Sequence, residues 1–239
     1  MRSNKEKSFW AIYTPGNIYL EALYRLRQWG RKLDFGRTRN AKRIGHVHDH
    51  SQAVGDFYDA YHDKFMRVYG PVIQAFRTKD VRDLLDYQIA SMGLQAGQRV
   101  LDAGCGVAMP AIYFARNAGV QVDAITISRK QYETALSNVE AENLMGQVRV
   151  IKGDYHRLPE YFRAESYDVV YFLESFGHSR AKQLLLDVCW KMLKPGGLVY
   201  IKDLFKRIPI LPEHKKKLMR KYSKSTMPIS TTLPNLMKS

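Results

Sequence analysis

The stretch Val100-Leu101-Asp102-Ala103-Gly104-Cys105-Gly106-Val107-Ala108 joins a short apolar run, an acidic residue and two glycines one residue apart. The apolar run reads as a strand that brings Asp102 to its carboxyl end. Gly104 and Gly106 let the backbone come close to a ligand, because a side chain at either position would fill the ligand's volume or forbid the required φ. The dinucleotide fingerprint G-x-G-x-x-G fails at Met109, which argues against NAD. Further along, Tyr167 to His178 reads as a strand that carries Glu174 and His178 to the carboxyl edge of the same sheet. A carboxylate and an imidazole placed there suit the stabilisation of developing positive charge and the removal of a proton. Tyr58 heads an aromatic-rich segment, Tyr58-Asp59-Ala60-Tyr61-His62-Asp63-Lys64-Phe65, whose ring faces attract positive charge without acting as nucleophiles. Each feature also has a plain structural use: Glu174 as a helix cap, His178 on the surface, Asp154 as a turn former, the rings as core.

The elements that must position these residues alternate between Arg99 and Asp203. Strands are expected at Arg99 to Ala103, Val120 to Ile125, Val148 to Lys152, Tyr167 to Leu173 and Leu198 to Asp203. Helices are expected at Pro110 to Ala118, Arg129 to Asn143 and Arg180 to Leu193, with Pro195-Gly196-Gly197 ending the last. That alternation gives an α/β fold, a Rossmann-like doubly wound parallel sheet whose ligands bind beyond the carboxyl ends of the strands. Upstream, Ile18, Ala22, Leu26, Trp29 and Leu33 recur at spacings of four, four, three and four, which predicts an amphipathic helix. A basic loop is expected over Gly36 to His50 and an aromatic helix over Val54 to Phe76. His46, His48 and His50 alternate in that loop without a Cys or carboxylate set, so no metal site is expected.

With these residues in place, the chain resembles the class I S-adenosylmethionine-dependent methyltransferases. Asp102 to Ala108 is similar to their first motif D-x-G-x-G-x-G, with Ala108 in the place of the last glycine. Ala124-Ile125-Thr126-Ile127-Ser128-Arg129-Lys130-Gln131 resembles the G-h-T-L-S-x-x-Q segment of one branch: cyclopropane-fatty-acid synthases and the sterol, tocopherol and prenyl-diphosphate C-methyltransferases. In that resemblance Asp102, Gly104, Gly106, Thr126, Ile127, Gln131, Asp154 and Tyr155 hold S-adenosylmethionine. Thr126 and Gln131 would grip the ribose by neutral hydrogen bonds, and Asp154, in Gly153-Asp154-Tyr155, would accept from the adenine amino group. Glu174 and His178 match an E-x-x-x-H of the sterol and tocopherol enzymes, and Tyr58 to Phe65 matches a lid segment over cofactor and substrate. Glu174, His178 and Tyr58 are therefore the expected catalytic set, acting on a lipophilic or isoprenoid acceptor. No metal is needed for transfer, although a diphosphate acceptor would bring Mg2+. Two other readings stay open: N- or O-methylation of a small natural product, and a catalytically silent methyltransferase-like domain.

Length and charge bound the rest. The 239 residues allow one well-cored domain with extensions, here divided as a 1–83 helical, basic lid extension, an 84–206 cofactor-binding core and a 207–239 basic tail. Mean hydropathy is -0.37 and no apolar run approaches the ~20 residues of a membrane span, so the cytoplasm is the expected address. The formal charge of +15 sits at the ends. Residues 1–50 hold eleven Lys or Arg against four Asp or Glu, and residues 202–239 hold ten against two. Such ends suit peripheral contact with an anionic membrane surface; nucleic acid is not the expected partner, and a homo-oligomer is an open option. The closing C-terminal hairpin usual in this fold is not visible after Phe205, and the tail from about Lys221 reads as disordered or truncated.

Overall fold

The computed structural model describes residues 18–24, 41–72 and 80–205. Six strands, β1 (Ile18–Tyr24), β2 (Arg99–Ala103), β3 (Gln121–Thr126), β4 (Val148–Lys152), β5 (Tyr167–Leu173) and β6 (Leu193–Phe205), form one sheet in the order β1-β6-β5-β2-β3-β4. β2 to β6 are parallel, and β1 alone runs antiparallel to its neighbour. The helices are α1 (Ala41–Tyr69), α2 (Val81–Met92), α3 (Met109–Ala118), α4 (Arg129–Ala141), the short α5 (Leu158–Tyr161) and α6 (Lys182–Met192). The five expected parallel strands are all present.

Helices cover both sheet faces, so the central strands are apolar on both sides instead of alternating with polar residues. Val100, Val122 and Tyr171 belong to one core with Phe114 and Ala135. Leu101, Ile125 and Phe172 belong to the other with Leu185 and Met192. The chain leaves β2 toward β3 and β4, then returns to place β5 on the other side of β2. That reversal opens a crevice at the carboxyl ends of β2 and β5, where Gly104 and Glu174 lie.

Local chemistry fixes the helix ends. The Asp80 side chain accepts from the Arg82 N–H at 2.8 Å and starts α2. Ser128 Oγ accepts from the Gln131 N–H at 3.1 Å and starts α4. Gly70, at φ 70, ends α1 with its N–H bonded to Met66 O at 3.0 Å.

Three expectations change. Ile18 to Tyr24 is a strand rather than the start of a helix, paired with β6 in a register that sets Leu20 opposite Asp203 and Ala22 opposite Ile201. Its backbone groups satisfy the edge of β6, which would otherwise present an unpaired row. The basic loop ends earlier than expected, because α1 begins at Ala41. Pro195-Gly196-Gly197 lies within β6, where the β5 pairing slips from Tyr167↔Leu193 to Val169↔Leu198. The rest of the expected N-terminal helix, the side chains of His46 and His48, residues 73–76 of the aromatic segment, and the tail with its missing hairpin lie outside the described residues. Among the described residues no helix is long and apolar enough to cross a membrane.

Candidate functional site

Two adjoining cavities of about 580 and 620 Å³, both open to solvent, occupy the crevice. The first is walled by Asp102, Cys105 and the lid residues His62, Phe65 and Met66, the second by Thr126, Ile127, Asp154, Tyr155, Tyr58, Glu174 and His178, and Gly104, Gly106 and Gln131 face both. All eleven residues singled out in the sequence line one cavity or the other.

Asp102 is 1% exposed, and neither carboxylate oxygen has a hydrogen-bond partner of good geometry. Burial pushes its carboxyl up to about 7, against a weaker opposing pull from the Tyr171 hydroxyl. An uncompensated buried acid of this kind is costly unless a donor arrives. Beside it the Gly104 turn is held by N–H bonds from Gly104 and Cys105 to Ile125 O, at 2.9 and 3.0 Å. A Cβ on Gly104 would lie 2.4 Å from Ser175 Cβ, whereas one on Gly106 would meet nothing nearer than Gln131 Nε2 at 4.0 Å. Gly104 is thus required by close packing on Ser175, whose hydroxyl donates to Ala103 O at 2.6 Å. Gly106 leaves its side of the turn open to both cavities. Both glycines have positive φ, 103 and 56, as expected of a turn that forbids other residues, and Gly104 has the further constraint of its packing on Ser175.

Thr126 Oγ1 donates to Gln131 Oε1 at 3.0 Å, which orients the amide and leaves Nε2 on the side of Gly106. Asp154 Oδ1 accepts from both the backbone N–H and ring Nδ1 of His156, at 2.9 and 2.7 Å. Burial would raise the Asp154 carboxyl, but its hydrogen bonds with His156 outweigh that and hold it below the ordinary value.

On the other side, Glu174 adopts φ 61, a left-handed conformation uncommon for a side chain of its size. Its N–H donates to Lys202 O at 2.7 Å, and its carboxylate lies 3.8 Å from Lys202 Nζ. Glu174 is therefore no helix cap. His178 is half-buried, with Nε2 2.8 Å from the Tyr58 hydroxyl and its backbone oxygen accepting from His50 Nε2 at 2.9 Å. Burial lowers the His178 imidazole to about 4, helped by the nearby His50 and Lys182. Burial and the Asp203 and Glu174 charges raise the Tyr58 phenol. At neutral pH the phenol keeps its proton and the imidazole is neutral, so the two groups share one hydrogen bond.

The lid helix α1 is clamped over this site. Asp59 accepts from Ser128 Oγ at 2.5 Å and from the Lys130 N–H at 3.0 Å, which caps α4 from outside. Gly55 packs so tightly that a Cβ there would sit 3.2 Å from Ile127 O. Along α1, Phe57, Tyr58, Tyr61, Phe65 and Tyr69 form a chain of ring contacts with centroids 4.9 to 5.9 Å apart. The sequence analysis quotes Asp59 and Ser128 only as members of motifs and gives Ser175 and His156 no role. Each takes its use from a partner that lies far along the chain and is supplied by the fold. Among the described residues no group of three His, Cys, Asp or Glu is placed to hold a metal.

Residues 37–230 match the family described as mycolic acid cyclopropane synthetase. A sterol 24-C-methyltransferase of Yarrowia lipolytica is 31% identical over 184 residues, covering 72% of this chain and 46% of that protein. Methyltransferase GfsG of Streptomyces halstedii is 30% identical over 174 residues, covering 66% of this chain and 59% of that one. The chain thus spans about half the length of these curated relatives. Among solved structures, the [4+2]-cyclase SpnF superposes with a TM-score of 0.59 at 26% identity, over 68% of this chain and 63% of that one.

Proposed function

The chain belongs to the mycolic acid cyclopropane synthetase family, and from that premise we propose that it transfers the methyl group of S-adenosylmethionine to a carbon of a lipophilic acceptor, such as an isoprenoid alkene. The observation that carries this reading is the pairing, in one crevice, of an unpartnered buried carboxylate beside an open glycine turn with a Glu–Tyr–His cluster. The residues fit the cofactor. Asp102 lacks a donor and would take the amino group of the methionine end, which keeps the carboxylate ionised. Gly106 leaves room for the backbone to approach, Gln131 offers Nε2, and Asp154 accepts from the adenine amino group.

When bound, S-adenosylmethionine supplies an electrophilic methyl group attached to a positively charged sulfur. The chain's own work is to hold the acceptor in line with it, and orientation provides most of the acceleration in such a displacement. As positive charge develops on the acceptor, the Glu174 carboxylate and the faces of Tyr58 and Phe65 stabilise it. Proton loss completes the step. Tyr58 Oη takes the proton while its own passes to Nε2 of His178, which is neutral and already bonded to it. The Yarrowia lipolytica relative is named for carbon methylation of a sterol, which supports a carbon acceptor here.

The same Tyr58–His178 pair also suits deprotonation of a phenol or amine before transfer to oxygen or nitrogen, so the methylated atom has to be read from the product. Labelled S-adenosylmethionine with prenyl diphosphates, sterols, quinols and amines, followed by NMR of the product, tests both. The basic ends would place such an enzyme near an anionic membrane surface where lipophilic acceptors reside. Mg2+ would accompany an acceptor bearing a diphosphate.

A further inference from the structure

His156 belongs to no motif, yet it is 9% exposed and engaged on both sides of its ring. Nδ1 is 2.7 Å from Asp154 Oδ1, and Nε2 is 2.8 Å from Ser179 Oγ. Ser51 Oγ, on the lid helix, stands 3.4 Å from Nδ1. The carboxylate fixes the N–H on Nδ1, and in the neutral ring Nε2 then accepts from the Ser179 hydroxyl. One imidazole thereby joins three places: the turn after β4, the turn after β5 that carries His178, and α1.

Aspartate, imidazole and serine at these spacings match the relay of a hydrolase. Here that use is closed. Ser179 is 1% exposed, lines neither cavity, and accepts from the Ala181 N–H at 3.1 Å. A hydroxyl without a path to substrate cannot act as a nucleophile, so the triplet orients instead of reacting.

We propose that His156 is a positioning residue that locks the Asp154 carboxylate for recognition of the adenine amino group and ties it to the turn bearing His178. The inference rests on the reading of Asp154 as the adenine acceptor. With Oδ1 held by two N–H donors of His156 and Ser51 also hydrogen-bonded to the carboxylate, the plane of the carboxylate is fixed for the base. Without the ring the carboxylate can rotate, and recognition of an amino group becomes recognition of any polar edge.

The test is calorimetric titration of the full chain with S-adenosylhomocysteine and with S-inosylhomocysteine, which carries a carbonyl oxygen where adenine has its amino group. His156→Phe keeps a ring and removes both bonds. It is expected to lose ~10-fold or more in S-adenosylhomocysteine affinity, the range for a lost hydrogen bond to a charged group, and most of the preference over the inosine analogue. His156→Asn keeps a donor near Nδ1, and His156→Gln keeps a group near Nε2. Asn should restore the preference to within about threefold, as a lost Nε2 contact leaves the carboxylate held, and Gln should not. A folded His156→Phe chain with wild-type affinity and preference overturns the proposal. If His156→Phe does not fold, equal preference in the Asn and Gln variants overturns it. Wild-type protein that binds neither ligand overturns the methyltransferase reading and this inference with it, whereas a binding wild type matched by its variants overturns this inference alone.

Discussion

The Tyr58 hydroxyl stands 2.8 Å from Nε2 of His178, so the lid helix and the turn beyond β5 meet in one hydrogen bond at the acceptor side of the crevice. Tyr58→Phe removes that bond and keeps the ring. Turnover should fall by ~100-fold, the lower range for a lost acid–base group, while affinity for S-adenosylhomocysteine stays within a few-fold. Steady-state rates beside calorimetry check it, and unchanged turnover would remove Tyr58 from the proton path.

Two buried groups give opposite pH signatures. His178 has its folded value lowered to about 4 from 6.5. The unfolded chain therefore binds more protons between those values, and this contribution to stability is lost as pH falls through that window. Asp102 is raised from 3.8 to about 7, so its contribution is present at low pH and lost as pH rises toward and through 7. Asp102→Asn should raise the melting temperature of the ligand-free protein more at pH 8 than at pH 5, and should weaken cofactor binding. His178→Gln should flatten the loss of stability between pH 6.5 and 4.5 in urea denaturation. An Asp102→Asn gain that is the same at both pH values would show that Asp102 is not held neutral.

The two glycines of the turn should separate fold from ligand. Gly104→Ala drives a Cβ to 2.4 Å from Ser175 Cβ and is expected to unfold the crevice or lower the melting temperature severely. Gly106→Ala meets only Gln131 Nε2, at 4.0 Å, and has φ 56. It should cost ~1 kcal/mol in stability from the left-handed backbone and lose cofactor affinity by a larger factor. Circular dichroism with calorimetry separates the two, and a Gly106→Ala protein with full affinity would move the ligand elsewhere.

Glu174 holds a strained conformation at the cavity wall, as functional side chains often do. Glu174→Gly should be more stable than Glu174→Ala by ~1 kcal/mol, since only the first relieves the left-handed backbone. Both should lose turnover. Equal stabilities in chemical denaturation would show that the strain is absent in solution.

Much of the sheet was legible because β2, β3 and β5 are short, largely apolar runs bounded by turn residues and buried on both faces, while β4 at the edge alternates buried Val148 and Val150 with exposed Arg149. The glycine turn, Glu174 and His178 were legible because they follow those strands directly. The N-terminal segment was not. Ile18 and Ala22 sit four apart, a spacing that shares one face in a strand as well as in a helix, and the partner that decides between them, β6, is about 180 residues away. His156 was hidden for a similar reason: its value comes from Ser179, Ser51 and Asp154 converging on one ring, which no local pattern records. The packing of Gly104 on Ser175 was hidden, because sequence shows a glycine and not the neighbour it makes room for.

The most direct test of methyl transfer to carbon is incubation of the chain with methyl-labelled S-adenosylmethionine and a panel of prenyl diphosphates, sterols, quinols and amines, with Glu174→Gln and His178→Ala run alongside. The expected result is label on a carbon of a lipophilic acceptor, stoichiometric S-adenosylhomocysteine, and a rate strongly reduced in both variants at nearly unchanged cofactor affinity. Label found only on nitrogen or oxygen, or a chain that binds S-adenosylhomocysteine yet transfers no label to any acceptor, would contradict it.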